Sequence, residues 1–297
     1  MLRHTDYQDV LRQEFIIPNV NGYKVLKSDL HAHTIFSDGS VTPEYRVREA
    51  WVDGLDVLAI TEHIEYRPHE GVMTSYLKGF FQGEPNKPNG KILSNLNVSN
   101  SRAVAAAVGY GITIIPGAEI TRDQNKIGHY NALFIKDIPG IYNIYTNETF
   151  RNVHKQGGIV IHNHPGYRRN TTEKSEWQAE VYKEGLIDGV EIVNGSSFYR
   201  KMIRRAVEEN LSMLGSSDIH RPTSEIYGMR GFYRTMTFIL AKECTEKAIR
   251  EALEAARQLS AYIDYVINEK HQSVWIAQRE GRAKDSNDRT QEALIKR

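Results

Sequence analysis

The sequence has one cysteine, a near-zero net charge and no long hydrophobic run, and each shortage excludes a class of protein. Because Cys244 stands alone, the chain has neither an internal disulfide nor a cysteine-rich zinc module. The formal net charge of +1 provides no overall field toward nucleic acid or an acidic membrane. No stretch is apolar for long enough to span a bilayer. We therefore expect no membrane partner and no stable nucleic-acid partner.

The N-terminal segment, Met1–Val20, also lacks the basic start and apolar run that are typical of a signal peptide. We expect a cytoplasmic location, with a periplasmic one as the alternative if a signal peptide has been removed. The 297 residues suit one large α/β domain with a well-buried core. The predicted organisation is an N-terminal arm over residues 1–23, a barrel over 24–268 and a C-terminal helical tail over 269–297.

Histidine, by contrast, is plentiful, with eleven residues, and the informative pattern starts at His31 and His33. The segment before them, Tyr23–Leu30, alternates as a strand does, and residues two apart in a strand share a face. Two imidazoles placed side by side can bind one divalent ion. Asp38 follows in a Ser-Asp-Gly turn, which can bring its carboxylate to the same place.

Metal-binding side chains recur at the ends of the other strand-like segments. About seven such segments alternate with helical ones, which indicates a largely parallel sheet closed into an α/β barrel. The ends of parallel barrel strands meet at one face, where active sites form. The sequence therefore predicts a single metal site that adds these residues to the first three: His63, Glu119, His129, His164, Asp218 and His220.

Two histidines, His162 and His164, follow the strand-like segment Ile159–Ile161. Since residues two apart share a face, we predict that both point into the barrel, with His164 at the mouth and His162 one layer deeper. This placement predicts that His164 is the metal ligand and that His162 is a neutral, hydrogen-bonded core residue.

A long insertion, Ile64–Gly90, follows His63 and is rich in aromatic residues. A loop of this length beside a site is often a lid or a substrate wall, and a variable surface excursion is the alternative. Its Tyr66, Phe80 and Phe81 are candidates for stacking on a nucleobase.

Taken in order, these motifs resemble the PHP family, which is named for polymerase and histidinol phosphatase. The resemblance extends over about residues 24–256, and one position departs from it, since Asp more often stands where Glu62 stands here. The matching segments are His31-Ala-His33-Thr34 with Ser37-Asp38-Gly39, Thr61-Glu62-His63, Gly117-Ala118-Glu119 with His129, His164-Pro165-Gly166 and Ser217-Asp218-Ile219-His220.

The resemblance implies a distorted seven-stranded (β/α)7 barrel, not the eight-stranded kind, and three divalent transition-metal ions, which are zinc, manganese or iron. Many relatives have a histidine in place of Asp38, and a carboxylate there makes the third site harder and more tolerant of manganese. The implied ligands are His31, His33, Glu119 and Asp218 for the first ion, Glu119, His129 and His164 for the second, and Asp38, His63 and His220 for the third.

Such a ligand set suits the hydrolysis of a phosphoester. Two ions that share a carboxylate can hold a water between them and lower its pKa, so that hydroxide attacks phosphorus. The expected substrate is a small phosphomonoester or a short nucleotide phosphoester, including a short oligonucleotide. The residues predicted to be catalytic are Glu119, Asp218 and His220, and those predicted to bind phosphate are Arg168, Arg169 and Arg221.

Two other functions stay open at this point. A metal-dependent amide hydrolase also begins with His-x-His, but Glu119 holds the bridging place where such enzymes commonly have a lysine. A non-catalytic metal-binding barrel is the other alternative, although all nine ligand positions hold residues able to bind metal. A substrate screen with phosphate esters and amides separates the two hydrolases, and metal content without turnover would favour the non-catalytic barrel.

Overall fold

The structure, a computed structural model, describes residues 11–14, 17–69, 95–169, 171–228 and 231–264. Within these ranges the chain forms nine strands and eight helices. The strands are β1 (Lys24–Asp29), β2 (Val57–His63), β3 (Thr113–Thr121), β4 (His129–Leu133), β5 (Ile159–His162), β6 (Gly189–Asn194), β7 (Ser197–Phe198), β8 (Ser212–Ser216) and β9 (Thr237–Ala241). The helices are α1 (Pro43–Val52), α2 (Leu96–Ala107), α3 (Ile138–Ile141), α4 (Thr146–Lys155), α5 (Glu176–Lys183), α6 (Arg200–Glu208), α7 (Thr223–Ile226) and α8 (Glu246–Asp264).

Seven of the strands form the wall of a distorted barrel, as predicted. From β1 to β6 each strand pairs with the next, and β8 pairs with β6. A single bridge between Ala32 and Ile219 then joins the end of β8 to the end of β1. The other two strands lie outside this ring, β9 against β1 and β7 against β6. The barrel thus has a seam, between β8 and β1, where strand pairing is weakest.

The expectation of a largely parallel sheet is wrong for three strands. β4 runs antiparallel to both β3 and β5, β9 runs antiparallel to β1, and the short β7 runs antiparallel to β6. Only residues 122–128 connect β3 to β4, and a connection this short allows a hairpin but no crossover helix. Because β4 runs backwards, its first residue, His129, pairs with Thr121 at the end of β3. The start of β4 therefore lies at the face where its neighbours end.

Local sequence signals explain several helix boundaries. Thr42 caps α1 by accepting a hydrogen bond from the Tyr45 amide at 3.3 Å, and Pro43 occupies the first helical turn. Ser175 and Gln178 form a reciprocal capping box at the start of α5. These helices pack on the outside of the barrel and leave its mouth open. No helix in the described ranges is both long and apolar enough to cross a bilayer.

Three predicted regions fall largely outside the described residues. They are the arm before residue 24, of which residues 11–14 and 17–23 are described, the insertion after His69, and the tail over 269–297. Of the insertion Ile64–Gly90, only Ile64–His69 are described. The substrate-wall and helical-tail predictions therefore stay predictions.

Candidate metal centre

Eight of the nine predicted ligands form overlapping clusters at the mouth of the barrel. In each cluster one ligand atom from every residue lies within 4.8 Å of all the others. The ninth, His129, joins through Glu119, because its Nδ1 lies 3.4 Å from Oε1 of that carboxylate. The three clusters are His33, Asp38, His63 and His220; His31, His33 and Asp218; and His31, Glu119 and His164.

The tightest cluster joins His31, His33 and Asp218 across the seam of the barrel. The two Nε2 atoms lie 3.1 Å apart. Asp218 Oδ1 lies 3.2 Å from His31 Nε2 and 3.1 Å from His33 Nε2. A tetrahedral ion with bonds of about 2.0–2.1 Å separates its ligand atoms by roughly 3.3 Å. One divalent ion therefore fits this triangle.

His33 also belongs to the cluster around Asp38. Its ring stacks on those of His63 and His220, with centroids 4.4 and 4.3 Å apart. Asp38 Oδ1 lies 3.5 Å from His63 Nε2 and 3.2 Å from His220 Nε2. His220 Nδ1 donates to the backbone carbonyl of Asp218 at 2.8 Å. In the neutral ring, Nε2 therefore carries no proton, and its lone pair faces Asp38.

Glu119 lies between the clusters, and its two oxygens face different histidines. Oε1 is 3.4 Å from His129 Nδ1 and 3.3 Å from His164 Nε2, whereas Oε2 is 3.5 Å from His33 Nε2. Asn163 Nδ2 donates to Oε1 at 2.8 Å and so fixes the carboxylate. A carboxylate oriented in this way can bridge two cations.

The carboxylates determine the electrostatics of the centre. Burial alone lowers the pKa of His63, but Glu119 and Asp38 outweigh it and raise that pKa to about 10. Burial raises the pKa of Glu119, yet the surrounding histidines, His63 first, hold it well below its usual value. Burial, with His220 and His63, lowers the pKa of His33 to about 3. The ionised carboxylate of Glu119 is thus stabilised by positive charge beside it. His33 is neutral, as a histidine that binds a metal must be.

Two carboxylate oxygens of the centre are buried without a hydrogen-bond donor, namely Glu119 Oε2 and Asp218 Oδ1. His63 Nδ1 lies 2.7 Å from Glu119 Oε2 but makes its hydrogen bond with Thr121 Oγ1, at 2.6 Å. A buried carboxylate oxygen without a donor costs free energy unless a cation neutralises it. Imidazole nitrogens and carboxylate oxygens are ligands of transition metals. The residues present thus fit divalent metal ions.

A supporting residue that sequence reasoning missed is Glu191, in the middle of β6. Its Oε1 accepts the Nδ1–H of His31 at 2.8 Å, and its Oε2 accepts the amide of His164, also at 2.8 Å. The first bond directs Nε2 of His31 into the cluster, which is how outer carboxylates commonly orient metal-binding histidines. An acidic residue inside a buried strand, Gly189–Asn194, was the sequence signal that could have identified it.

The turn that carries Asp38 is held by Glu62, from the second motif. This carboxylate accepts hydrogen bonds from the amide of Thr34 at 3.1 Å and from the hydroxyl of Ser37 at 2.5 Å. Gly39 closes the turn, and a Cβ there would lie 2.6 Å from the carbonyl carbon of His33. Glu62 thus replaces the commoner aspartate as an anchor of the first motif, without entering the ligand clusters.

Two ligand residues have left-handed backbone angles, which is uncommon outside glycine. His164 has a φ of 26° and Asp218 one of 53°. The amide of Asp218 donates to the carbonyl of His31 at 3.0 Å, which holds that conformation in place. Strained residues of this kind cost roughly 1–3 kcal/mol each and tend to occur at functional sites.

The three arginines predicted to bind phosphate have different environments. Arg168 is exposed, and its guanidinium lies 5.1 Å from the ring centroid of Tyr167. Arg221 is exposed as well, directly after His220. Arg169 instead donates to the carbonyl of Glu173 at 3.0 Å, just before α5, which engages it away from the clusters. Of the three, Arg168 and Arg221 are the exposed ones, whereas Arg169 is half-buried.

The prediction that His162 points into the barrel is wrong, although its burial and neutrality were expected. His162 lies on the helix side of β5, where its ring stacks on Tyr130 at 4.7 Å and its Nδ1 bonds to the hydroxyl of Tyr182 at 2.6 Å. Burial holds its pKa well below the usual value. Asn163 faces the interior instead, and the left-handed backbone of His164 then interrupts strand alternation.

Comparison with known proteins places this site in a family context. A family model described as PHP domain matches residues 29–196. A solved two-domain protein from Bacteroides vulgatus, which contains a predicted PHP-like metal-dependent phosphoesterase, is 38% identical with a TM-score of 0.71. That match covers 83% of this chain and 67% of the other. The comparison with curated proteins found no match.

Two more distant solved structures also match this chain. A candidate metal-dependent phosphoesterase from Bifidobacterium adolescentis is 16% identical over 76% of this chain and 95% of its own, with a TM-score of 0.50. An amidohydrolase from Chromobacterium violaceum is 16% identical over 77% and 96% of the two chains, with a TM-score of 0.47. The first is a likeness of fold alone, and the second carries no argument about function.

Proposed function

This protein belongs to the PHP family, and on that premise we propose that it is a metal-dependent hydrolase of a phosphomonoester or a short nucleotide phosphoester. The observation that carries the proposal is the arrangement of nine histidines and carboxylates around the mouth of one barrel. The donorless oxygens of Glu119 and Asp218 support it further, because they need cations beside them.

We assign three ions, zinc, manganese or iron, to this arrangement. His31 and His33 each belong to two clusters, so the three clusters lie side by side. The carboxylate of Asp38 favours a harder ion in its own site. The proposed ligands are His31, His33, Glu119 and Asp218 for the first ion, Glu119, His129 and His164 for the second, and Asp38, His63 and His220 for the third.

When bound, such ions supply a water of lowered pKa and neutralise the oxygens of a phosphoryl group. The residues of the chain orient these participants. Glu119 would bridge two of the ions, since its two oxygens face different histidines. The side chains of Asp218 and His220 are 18% and 33% exposed. They would border the opening through which the phosphate of a substrate approaches the ligand clusters. Arg168 and Arg221 would contact the remaining phosphate oxygens.

No nucleophilic side chain is needed for this reaction. The thiol of Cys244 packs against Thr113 Oγ1 at 3.3 Å, at the start of β3 and so at the opposite end from Glu119. Burial raises the pKa of that thiol, which disfavours the thiolate. Attack by activated water is therefore the proposed route, with inversion at phosphorus as its stereochemical consequence.

The test is metal reconstitution followed by a substrate screen. Protein stripped with a chelator is loaded with manganese or zinc, its metal content is measured, and phosphate esters and amides are assayed in parallel. We expect phosphate release only from the loaded protein, with Glu119→Gln inactive. Turnover of amides without turnover of any phosphoester would contradict the proposal, and so would a metal content below one ion per chain after loading.

A further inference from the structure

The ligand clusters are open on one side, and that side defines how a substrate approaches. The side chains of His31, His33 and Glu119 are fully buried. Those of Asp38 and His129 are 18% and 15% exposed. A phosphoester must therefore reach the centre past the less buried residues, and the groups around them contact its organic part.

Two tyrosines border this opening beside the metal-ligating histidines. The ring of Tyr66 meets that of His63 edge-on at 5.7 Å, and the ring of Tyr167 meets that of His164 edge-on at 5.1 Å. His129 lies between the two histidines, at 6.0 Å from His63 and 5.0 Å from His164. The two tyrosines thus flank the same exposed stretch of the centre.

Core packing does not account for these two rings, because Tyr66 is 54% exposed and Tyr167 is 43% exposed. The loop that carries Tyr167 is nevertheless tightly packed against its neighbours. A Cβ on Gly166 would lie 2.8 Å from the ring of Tyr199, so this glycine lets a further tyrosine pack against the loop. Arg168 lies over the ring of Tyr167 at 5.1 Å. The loop therefore holds Tyr167 in a defined position at the mouth.

We propose that Tyr66 and Tyr167 form a subsite for a planar aromatic group on the alcohol side of the phosphoester. The inference rests on the proposed function and names the class of substrate for it. Metal ions would neutralise the phosphate, while exposed aromatic rings stack on planar groups and bind saturated rings of the same size less tightly. The aromatic group is either an aryl alcohol or a nucleobase, and the two sources call for separate test compounds.

The experiment compares benzyl phosphate with cyclohexylmethyl phosphate, which have similar size and similar alkoxide leaving groups. A stacked ring contributes roughly 5- to 150-fold, so we expect kcat/KM to favour the benzyl ester by at least fivefold. A second pair, adenosine 5′-monophosphate and ribose 5-phosphate, asks whether the ring is a nucleobase. A preference in both pairs assigns a nucleobase, and a preference in the benzyl pair alone assigns an aryl group.

Variants connect the preference to the two rings. Tyr167→Leu and Tyr66→Leu keep an apolar side chain but remove the ring, and we expect each to reduce the benzyl preference toward unity. Tyr167→Phe keeps the ring and should retain the preference. Tyr145→Leu is the matched control, because Tyr145 is 69% exposed and lies at the start of α4, away from the ligand clusters.

Binding of benzylphosphonate and cyclohexylmethylphosphonate to the metal-loaded protein, measured by calorimetry, gives a readout that does not need turnover. Equal affinity for the two phosphonates, or equal kcat/KM for the two phosphates, overturns the subsite and leaves the proposed function standing. Tighter binding of benzylphosphonate that the leucine variants abolish supports the subsite even if no phosphoester is hydrolysed, a result that would overturn the proposed function alone.

Discussion

The guanidinium of Arg46 holds the backbone carbonyl of His33 with two N–H groups, at 3.2 and 3.1 Å from Nε and Nη2. The same fully buried side chain donates to the carbonyls of His220 at 3.1 Å and Arg221 at 3.0 Å, and it pairs with Glu49 at 2.6 Å. Arg46 thereby ties the end of β1 to the loop after β8, across the seam where a single bridge closes the barrel.

Arg46→Met should weaken metal binding at the seam selectively. The sites that use His33 and His220 lose the carbonyl anchors of their loops, and we expect affinity there to fall by about 10- to 100-fold, as for other residues that orient ligands. The second site, which uses Glu119, His129 and His164, should keep its ion, because β3, β4 and β5 form continuous ladders. Metal stoichiometry after dialysis against graded chelator concentrations measures both effects.

Arg46→Met also leaves Glu49 buried without its partner, which typically costs about 3–5 kcal/mol of folding free energy. The double variant with Glu49→Gln removes that charge and separates the loss of stability from the loss of metal. Arg204→Met is the control, since Arg204 makes an exposed pair with Glu208 on α6. Equal loss of every ion, or of none, would show that Arg46 does not act on the seam sites.

Glu191→Gln should lower metal affinity without unfolding the barrel. An amide that turns its NH2 group toward Nδ1 of His31 favours the tautomer with its proton on Nε2, the atom that faces the cluster. We expect about a 10- to 100-fold loss of affinity for the ion at His31. Titration of stripped protein with cobalt, followed by its absorption spectrum, measures this change, and an unaltered titration would contradict the orienting role.

Glu119→Gln should abolish activity while leaving the fold intact. A neutral amide bridges two cations poorly, and it cannot balance their charge as the carboxylate does. The measurement is turnover of a phosphoester at saturating metal, together with metal content and melting temperature. Near-normal turnover with the ions retained would mean that Glu119 does not bridge them.

How much of the site could be predicted depends on whether its geometry is local. His31 and His33 were identifiable because the period of a strand places both on one face. The ligands after β2, β3 and β8 were identifiable because metal-binding residues recur where strand-like segments end, and such ends meet at one face of a barrel. Arg46 gives no such signal. It stands two residues from Arg48, which is partly exposed, and the carbonyls that it binds lie 13 and about 175 positions away in the chain.

The two failures of strand reasoning have equally specific causes. The predicted parallel direction of β4 overlooked that seven residues cannot form a crossover. The predicted orientation of His162 assumed unbroken alternation up to His164. A left-handed residue before a proline breaks that alternation, and the sequence alone does not reveal such an angle.

The last prediction separates His164 from His162. His164→Ala removes a ring whose Nε2 lies 3.3 Å from Glu119 Oε1, so we expect loss of metal and nearly all turnover with a modest fall in melting temperature. His162→Ala removes a ring stacked on Tyr130 and leaves the Tyr182 hydroxyl without its partner. We expect that variant to lose about 2–4 kcal/mol of stability and to keep measurable turnover at saturating metal.

His162→Phe restores the stacking but not the hydrogen bond, and it should fall between wild type and His162→Ala in stability. Metal content, melting temperature and rate are measured for all three. A metal-free, inactive but stable His162→Ala protein beside an active His164→Ala protein would reverse the assignment of the two histidines.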